Sequence, residues 1–118
     1  MIEGIELYVG VKYEPGFGHL VFCGVGGIYI EVLKDISVRL APVFYEEALN
    51  MIEELKAYEI LQGTRGQKGI DVEGFAKTIV KISTLCQYFN EIHELDINPL
   101  IANKEGIFAI DTRIFINK

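Results

Sequence analysis

Positive charge is in short supply: 11 Lys and Arg stand against 17 Asp and Glu, a net charge of −6 with a pI near 4.9. That deficit excludes the clustered cations a nucleic-acid partner demands, yet leaves room for nucleotides, which a few placed cations and backbone amides hold. Cysteine is equally scarce. Cys23 and Cys86 each lie in an apolar run and read as buried reduced thiols, so neither a disulfide scaffold nor a cysteine metal centre has support. The only histidines, His19 and His93, have no second ligand at metal spacing and read as incidental. No apolar stretch reaches the ~18 residues of a membrane span. The opening Met1-Ile2-Glu3-Gly4 lacks the basic-then-apolar pattern of a leader, so a cytoplasmic protein without a membrane segment is expected. What the chain does have is apolar content: 50% of 118 residues, enough to bury a core within one domain spanning residues 1–118.

Period two opens the chain. Ile5, Leu7, Val9 and Val11 alternate with Glu6, Tyr8 and Gly10, which predicts a half-buried strand with Glu6 opposite the core. A turn over Glu14-Pro15-Gly16-Phe17-Gly18 leads to a strand at Leu20–Cys23, and further strands are expected at Ile28–Leu33 and Ile36–Leu40, with Arg39 on a polar face. Helical spacing takes over at Tyr45, where Ala48, Met51, Ile52 and Leu55 form a stripe with Glu46, Glu47, Glu53 and Glu54 largely outside it. Gly63 to Gly69 reads as a flexible connection and Asp71 as an N-cap. Val72, Phe75, Ala76, Ile79, Ile82, Cys86 and Phe89 predict the buried stripe of a second helix. Strands near Ile92–Ala102 and Ile107–Ile116 close an α+β domain built on antiparallel hairpins.

The final hairpin brings polar residues together. If Asn103-Lys104-Glu105-Gly106 is the connection and Ala102 closes on Ile107, antiparallel register sets Asn98 opposite Asp111 and Asp96 opposite Arg113. These four would crowd one face while Leu95, Ile97 and Ile110 take the other. A carboxylate beside a carboxamide supplies the hard oxygens Mg²⁺ prefers, with phosphate and water completing its shell. A solvated face carrying an Asp96–Arg113 ion pair fits the same spacing. Pro99 beside Asn98 suggests a kink, which suits a shaped site.

Two glycine-rich segments could approach phosphate. Gly24-Val25-Gly26-Gly27 follows a strand but lacks the Gly-Lys-Ser of a P-loop, and a tight hairpin turn accounts for it equally. Gly63-Thr64-Arg65-Gly66 presents an arginine between glycines, or forms a surface loop. Arg39 reads as a structural ion pair or a ligand.

The ordered segments Gly4-Ile5-Glu6, Glu14-Pro15-Gly16-Phe17-Gly18, Gly24-Val25-Gly26-Gly27, Arg39-Leu40-Ala41-Pro42, Leu61-Gln62-Gly63-Thr64-Arg65-Gly66, Glu94-Leu95-Asp96-Ile97-Asn98-Pro99 and Ala109-Ile110-Asp111-Thr112-Arg113 span essentially the whole chain. In this order they resemble the ADP-forming (NDP-forming) acetyl-CoA synthetases, ATP-grasp enzymes similar to succinyl-CoA synthetase. Glu14 stands where aspartate is usual and His19 where proline is usual.

The resemblance implies the carboxy-terminal subdomain of an ATP-grasp fold, an antiparallel sheet with helices packed on it. It implies a reaction in which acetyl-CoA, ADP and phosphate interconvert with acetate, CoA and ATP through a phosphohistidine. By the same resemblance Asn98 and Asp111 hold Mg²⁺ on the phosphates of ATP or ADP, and Asp96 faces the phosphohistidine. Gly26 and Gly27 match a glycine pair near the phosphates, and Arg65 and Arg113 match basic positions. The family carries an amino-terminal ATP-grasp subdomain and a CoA-ligase domain or subunit as partners. Met1 matches an internal methionine of longer members, so the start is expected to be an internal boundary. The isolated chain is expected to be inactive, and its uncovered apolar surface also allows a homo-oligomer. The alternative is a non-catalytic ATP-grasp-like module for regulation or assembly, as in acetyltransferase fusions. Retention of Asp96, Asn98, Asp111 and Arg113 favours the enzyme.

Overall fold

The computed structural model describes residues 4–26, 35–64, 67–109 and 111–116. Its first ladder grows from the alternation noted above. Strand β1 (Ile5–Glu14) turns through Pro15-Gly16-Phe17 into β2 (Gly18–Val25), pairing Val11 with Val21, Val9 with Cys23 and Leu7 with Val25. Those six residues are buried on one face. Both strands outrun the expected Ile5–Val11 and Leu20–Cys23 because the ladder stays in register down to Glu14 opposite Gly18. The strand expected at Ile28–Leu33 lies outside the described residues. Strand β3 (Ile36–Leu40) adds to the other edge of β2.

Helix α1 (Tyr45–Glu53) buries Ala48, Met51 and Ile52. In the Gly63–Gly69 segment, expected to be a flexible connection, the described residues include two short paired strands. A short helix α2 (Tyr58–Gln62) runs into a two-stranded ladder of β4 (Gly63–Thr64) and β5 (Gln67–Lys68). Asp71 then caps α3 (Val72–Tyr88), its Oδ1 accepting from Gly74 N–H at 2.9 Å. The buried stripe of α3 is Phe75, Ala76, Ile79, Ile82 and Cys86. Phe89, expected to end that stripe, is 50% exposed because the helix stops one residue earlier. Both long helices pack on the face of the sheet that carries Leu7, Val9 and Val11.

Strand β6 (Ile92–Asn103) is an interior strand of the sheet. It pairs with β1 on one side and with β7 (Gly106–Ala109) and β8 (Thr112–Ile116) on the other, giving the order β3-β2-β1-β6-β7 with β8 also on β6. The final hairpin closes one pair tighter than expected, at Asn103 and Gly106, through Lys104-Glu105. The register is the expected one, with Ala102 opposite Ile107 and Asp96 opposite Arg113. All pairings in this sheet are antiparallel, and the α+β class is as expected. No helix among the described residues is long and apolar enough to cross a membrane.

Candidate functional site

Because paired residues share a face, the sheet's outer surface can be read in rows. One row runs Arg113, Asp96, Gly10, Phe22, Val38, and the next Phe115, Glu94, Lys12, Leu20, Leu40. A third joins Tyr8, Gly24 and Ile36. The β3 residues and Phe115 stay open, with Ile36, Val38, Leu40 and Phe115 exposed by 41, 43, 49 and 53%. The face is thus apolar at the β3 edge and acidic at β6.

Two glycines make this face concave. A Cβ on Gly24 would stand 2.6 Å from the Asp35 carbonyl oxygen, and one on Gly10 would stand 2.7 Å from Cζ of Tyr8. Glycine lets Tyr8 lie over the backbone of β1, beside the residue that Gly10 pairs with, Asp96. The resulting groove of about 390 Å³ is lined by Tyr8, Val11, Lys12, Phe22, Ile36, Glu94 and Asp96.

At the head of the groove β6 bulges. Leu7 pairs with Leu100 but Val9 with Ile97, so Asn98 and Pro99 together oppose Tyr8. Such an extra residue bends a strand and ends regular pairing, and proline removes a ladder donor. Toward β8 and β7 the pairs on either side of position 98 keep one register: Ile97 faces Thr112 and Leu100 faces Ala109, which sets position 98 across from Asp111. The register inferred from the connection therefore stands. Ile110, expected on the apolar face, lies outside the described residues.

The electrostatics are lopsided. Asp96 Oδ1 is buried without a hydrogen-bond partner. Burial pushes its carboxyl pKa up, Glu94 and Asp111 add to the shift, and Arg113 opposes it. The Asp96–Arg113 ion pair that the spacing allowed is not formed. Arg113 lies instead against Asp111, Nε to Oδ2 at 3.7 Å, with both side chains exposed. Burial, then Asp96 and Glu94, push the Tyr8 phenol up to about 12, so it keeps its proton. Among the described residues no three His, Cys, Asp or Glu side chains gather as a metal cluster. Mg²⁺ does not need one, since it takes one or two protein oxygens and completes its shell with phosphate and water.

The other candidates separate. Gly26 has its N–H engaged, donating to the Glu6 carbonyl at 2.8 Å. Gly27 and Arg65 lie outside the described residues. Arg39 is a structural ion pair: Nε meets Glu47 Oε1 at 2.5 Å and Nη2 meets Glu54 Oε2, tying β3 to α1 and its C-cap. His19, which read as incidental, is buried. Its Nε2–H donates to Ile92 O at 2.7 Å and its ring meets Tyr13 edge-on at 5.3 Å, a brace between β2 and β6. Sequence reasoning passed over Tyr8, Gly10 and Phe22. The signal was present, since period two had already set Tyr8 and Gly10 opposite the core.

A family comparison matches the ATP-grasp domain over residues 1–116. The chain belongs to the ATP-grasp domain family. Similar proteins include the beta subunit of ADP-forming acetate–CoA ligase I from Pyrococcus furiosus, 46% identical over 113 residues that cover 96% of this chain and 49% of the relative. An ADP-forming 4-hydroxybutyrate–CoA ligase of Nitrosopumilus maritimus is 47% identical over 103 residues, covering 87% of this chain and 15% of that protein. In three dimensions the chain resembles a Candidatus Korarchaeum cryptofilum dinucleotide-forming acetyl-coenzyme A synthetase, solved with coenzyme A and Mg-AMPPCP and with its phosphohistidine segment pointing towards the nucleotide binding site. The TM-score is 0.93 at 37% identity, over 99% of this chain and 55% of that one. This ATP-grasp chain thus spans about half the length of the beta subunit and a smaller share of the 4-hydroxybutyrate–CoA ligase.

Proposed function

We propose that this ATP-grasp chain is the Mg²⁺- and phosphate-binding half of an ADP-forming acyl-CoA synthetase, which interconverts acetyl-CoA, ADP and phosphate with acetate, CoA and ATP through a phosphohistidine. The observation that carries the reading is the register across β6 and β8. It sets position 98 opposite Asp111, beside an Asp96 whose buried oxygen has no partner among the described residues, on the face away from α1 and α3. Asn98 and Asp111 would hold Mg²⁺ on the phosphates of ATP or ADP, and bound Mg²⁺ would neutralise charge on the transferring phosphoryl group. Gly26 and Gly27 would let the phosphates come close to the backbone, with Arg65 and Arg113 as cations around them. Asp96 would accept the ring N–H of the phosphohistidine and hold the imidazole in line.

The outer face needs a lid for this chemistry. An amino-terminal ATP-grasp subdomain would cover the nucleotide, and a CoA-ligase domain or subunit would deliver the phosphohistidine. One wall of a cleft loses the buried contacts that orient a ligand. Calorimetry of the isolated chain with Mg·ATP should accordingly give no micromolar binding, and adding the amino-terminal half should restore it. Micromolar binding by this chain alone would contradict the division into halves.

A further inference from the structure

A carboxylate oxygen buried without a donor is costly, and Asp96 Oδ1 is in that state. The side-chain donors lining its groove are Tyr8 and Lys12. Lys12 lies one row away, paired in register with Glu94. Arg113 is directly across but stands on Asp111. Tyr8 is the donor held over Gly10, the residue that pairs with Asp96 on the β1 side. It is also the residue that the β6 bulge faces.

We propose that Tyr8 is a positioning residue for Asp96: in the complete enzyme its phenol turns to donate to the Oδ1 that has no partner here, which leaves the second carboxylate oxygen aimed into the groove at the N–H of an incoming imidazole. The groove suits that ring, with the acid on one wall and the apolar surfaces of Phe22 and Ile36 on the other. Glycine at position 10 is the space the phenol occupies, so the device uses two residues of β1 to fix one of β6. This rests on reading Asp96 as the group that faces the phosphohistidine.

The test uses the complete enzyme. Tyr8→Phe keeps the ring and removes only the donor. Rapid-quench transfer from the phosphohistidine to ADP should slow on the order of 10-fold, the worth of one hydrogen bond to a charged group, with the KM for ADP unchanged. Asp96→Ala should slow transfer further, and Tyr8→Phe added to it should change nothing, because the phenol acts through the acid. A merely structural tyrosine would instead lower the melting temperature and leave that non-additivity absent. A crystal structure of the complete enzyme should show Tyr8 Oη at ~2.5–3.0 Å from Asp96 Oδ1. Full-rate transfer by Tyr8→Phe alongside a crippled Asp96→Ala overturns the role of Tyr8 and leaves that of Asp96 intact. Full-rate transfer by Asp96→Ala overturns the reading on which both depend.

Discussion

Arg113 stands directly across the ladder from Asp96, yet its guanidinium lies against Asp111 at 3.7 Å. Asp96 is therefore a partly buried acid whose folded pKa lies above its ordinary value, chiefly through burial. A raised pKa contributes stability that is complete below the unfolded value, near pH ~4, and is lost as pH rises through the folded value. In the isolated chain, where Asp96 Oδ1 has no partner, Asp96→Asn should accordingly melt higher than the parent at pH 7, with the gap closing as the pH approaches ~4. Thermal melts across that range check it. A lower melting point for the variant at pH 7 would mean that Asp96 is held in a stabilising pair.

The metal assignment has its own signature. In the complete enzyme, Asn98→Ala and Asp111→Ala should each cut ATP-dependent phosphorylation of the histidine by at least ~10²-fold, the scale of losing a group that stabilises transition-state charge. Quench-flow at saturating Mg²⁺ measures this. Near-normal rates from either variant would remove that residue from the site.

Glu54 behaves oppositely to Asp96. The hydrogen bond from Arg39 holds its carboxyl below the usual range, and Ser37 Oγ, donating at 3.1 Å, adds to this. A depressed pKa contributes stability that is present above the unfolded value and lost as pH falls through the folded one. Both partners are solvent-accessible, so Glu54→Gln should cost no more than about 1 kcal/mol at neutral pH, and less in high salt. Urea titrations at pH 7 and in acid should show the deficit disappearing in acid.

Gly24→Ala tests the concavity of the outer face. Its Cβ would press on the Asp35 backbone, and Asp35 in turn accepts from the N–H groups of Lys56 and Ala57 at 2.6 and 2.9 Å. The substitution should cost about 1–3 kcal/mol, as overpacking against backbone does. At Gly106 an added Cβ meets only the Phe108 ring edge at 3.6 Å, so Gly106→Ala should be milder. Equal unfolding midpoints for the two variants would contradict the close approach at Gly24.

The β-strand periodicity at Leu7, Val9 and Val11 and the helical stripe at Phe75, Ile79 and Cys86 were legible because burial imposes a period on sequence. Hairpin register was legible too, since a short connection leaves few ways to pair. The β4–β5 ladder was not: glycines that suggest a mobile loop serve equally to reverse a chain between two short strands. Nor was the bulge, because one extra residue in β6 shows only once β1 is laid beside it. Tyr8 was hidden for the same reason. Its importance comes from Gly10 and Asp96, and Asp96 is remote in sequence and adjacent only across a ladder.

Strand β6 carries Leu95, Ile97, Leu100 and Ala102 in the core and Asp96 on the outer face, with neighbours hydrogen-bonded along both of its edges. Its amides should exchange with solvent only when the whole domain unfolds, as for the most protected strands of a cooperative core. The acid would thus be mounted on backbone that stays paired for as long as the domain stays folded. Any opening or closing that admits a substrate must be movement of what covers the face, over a floor that stays still.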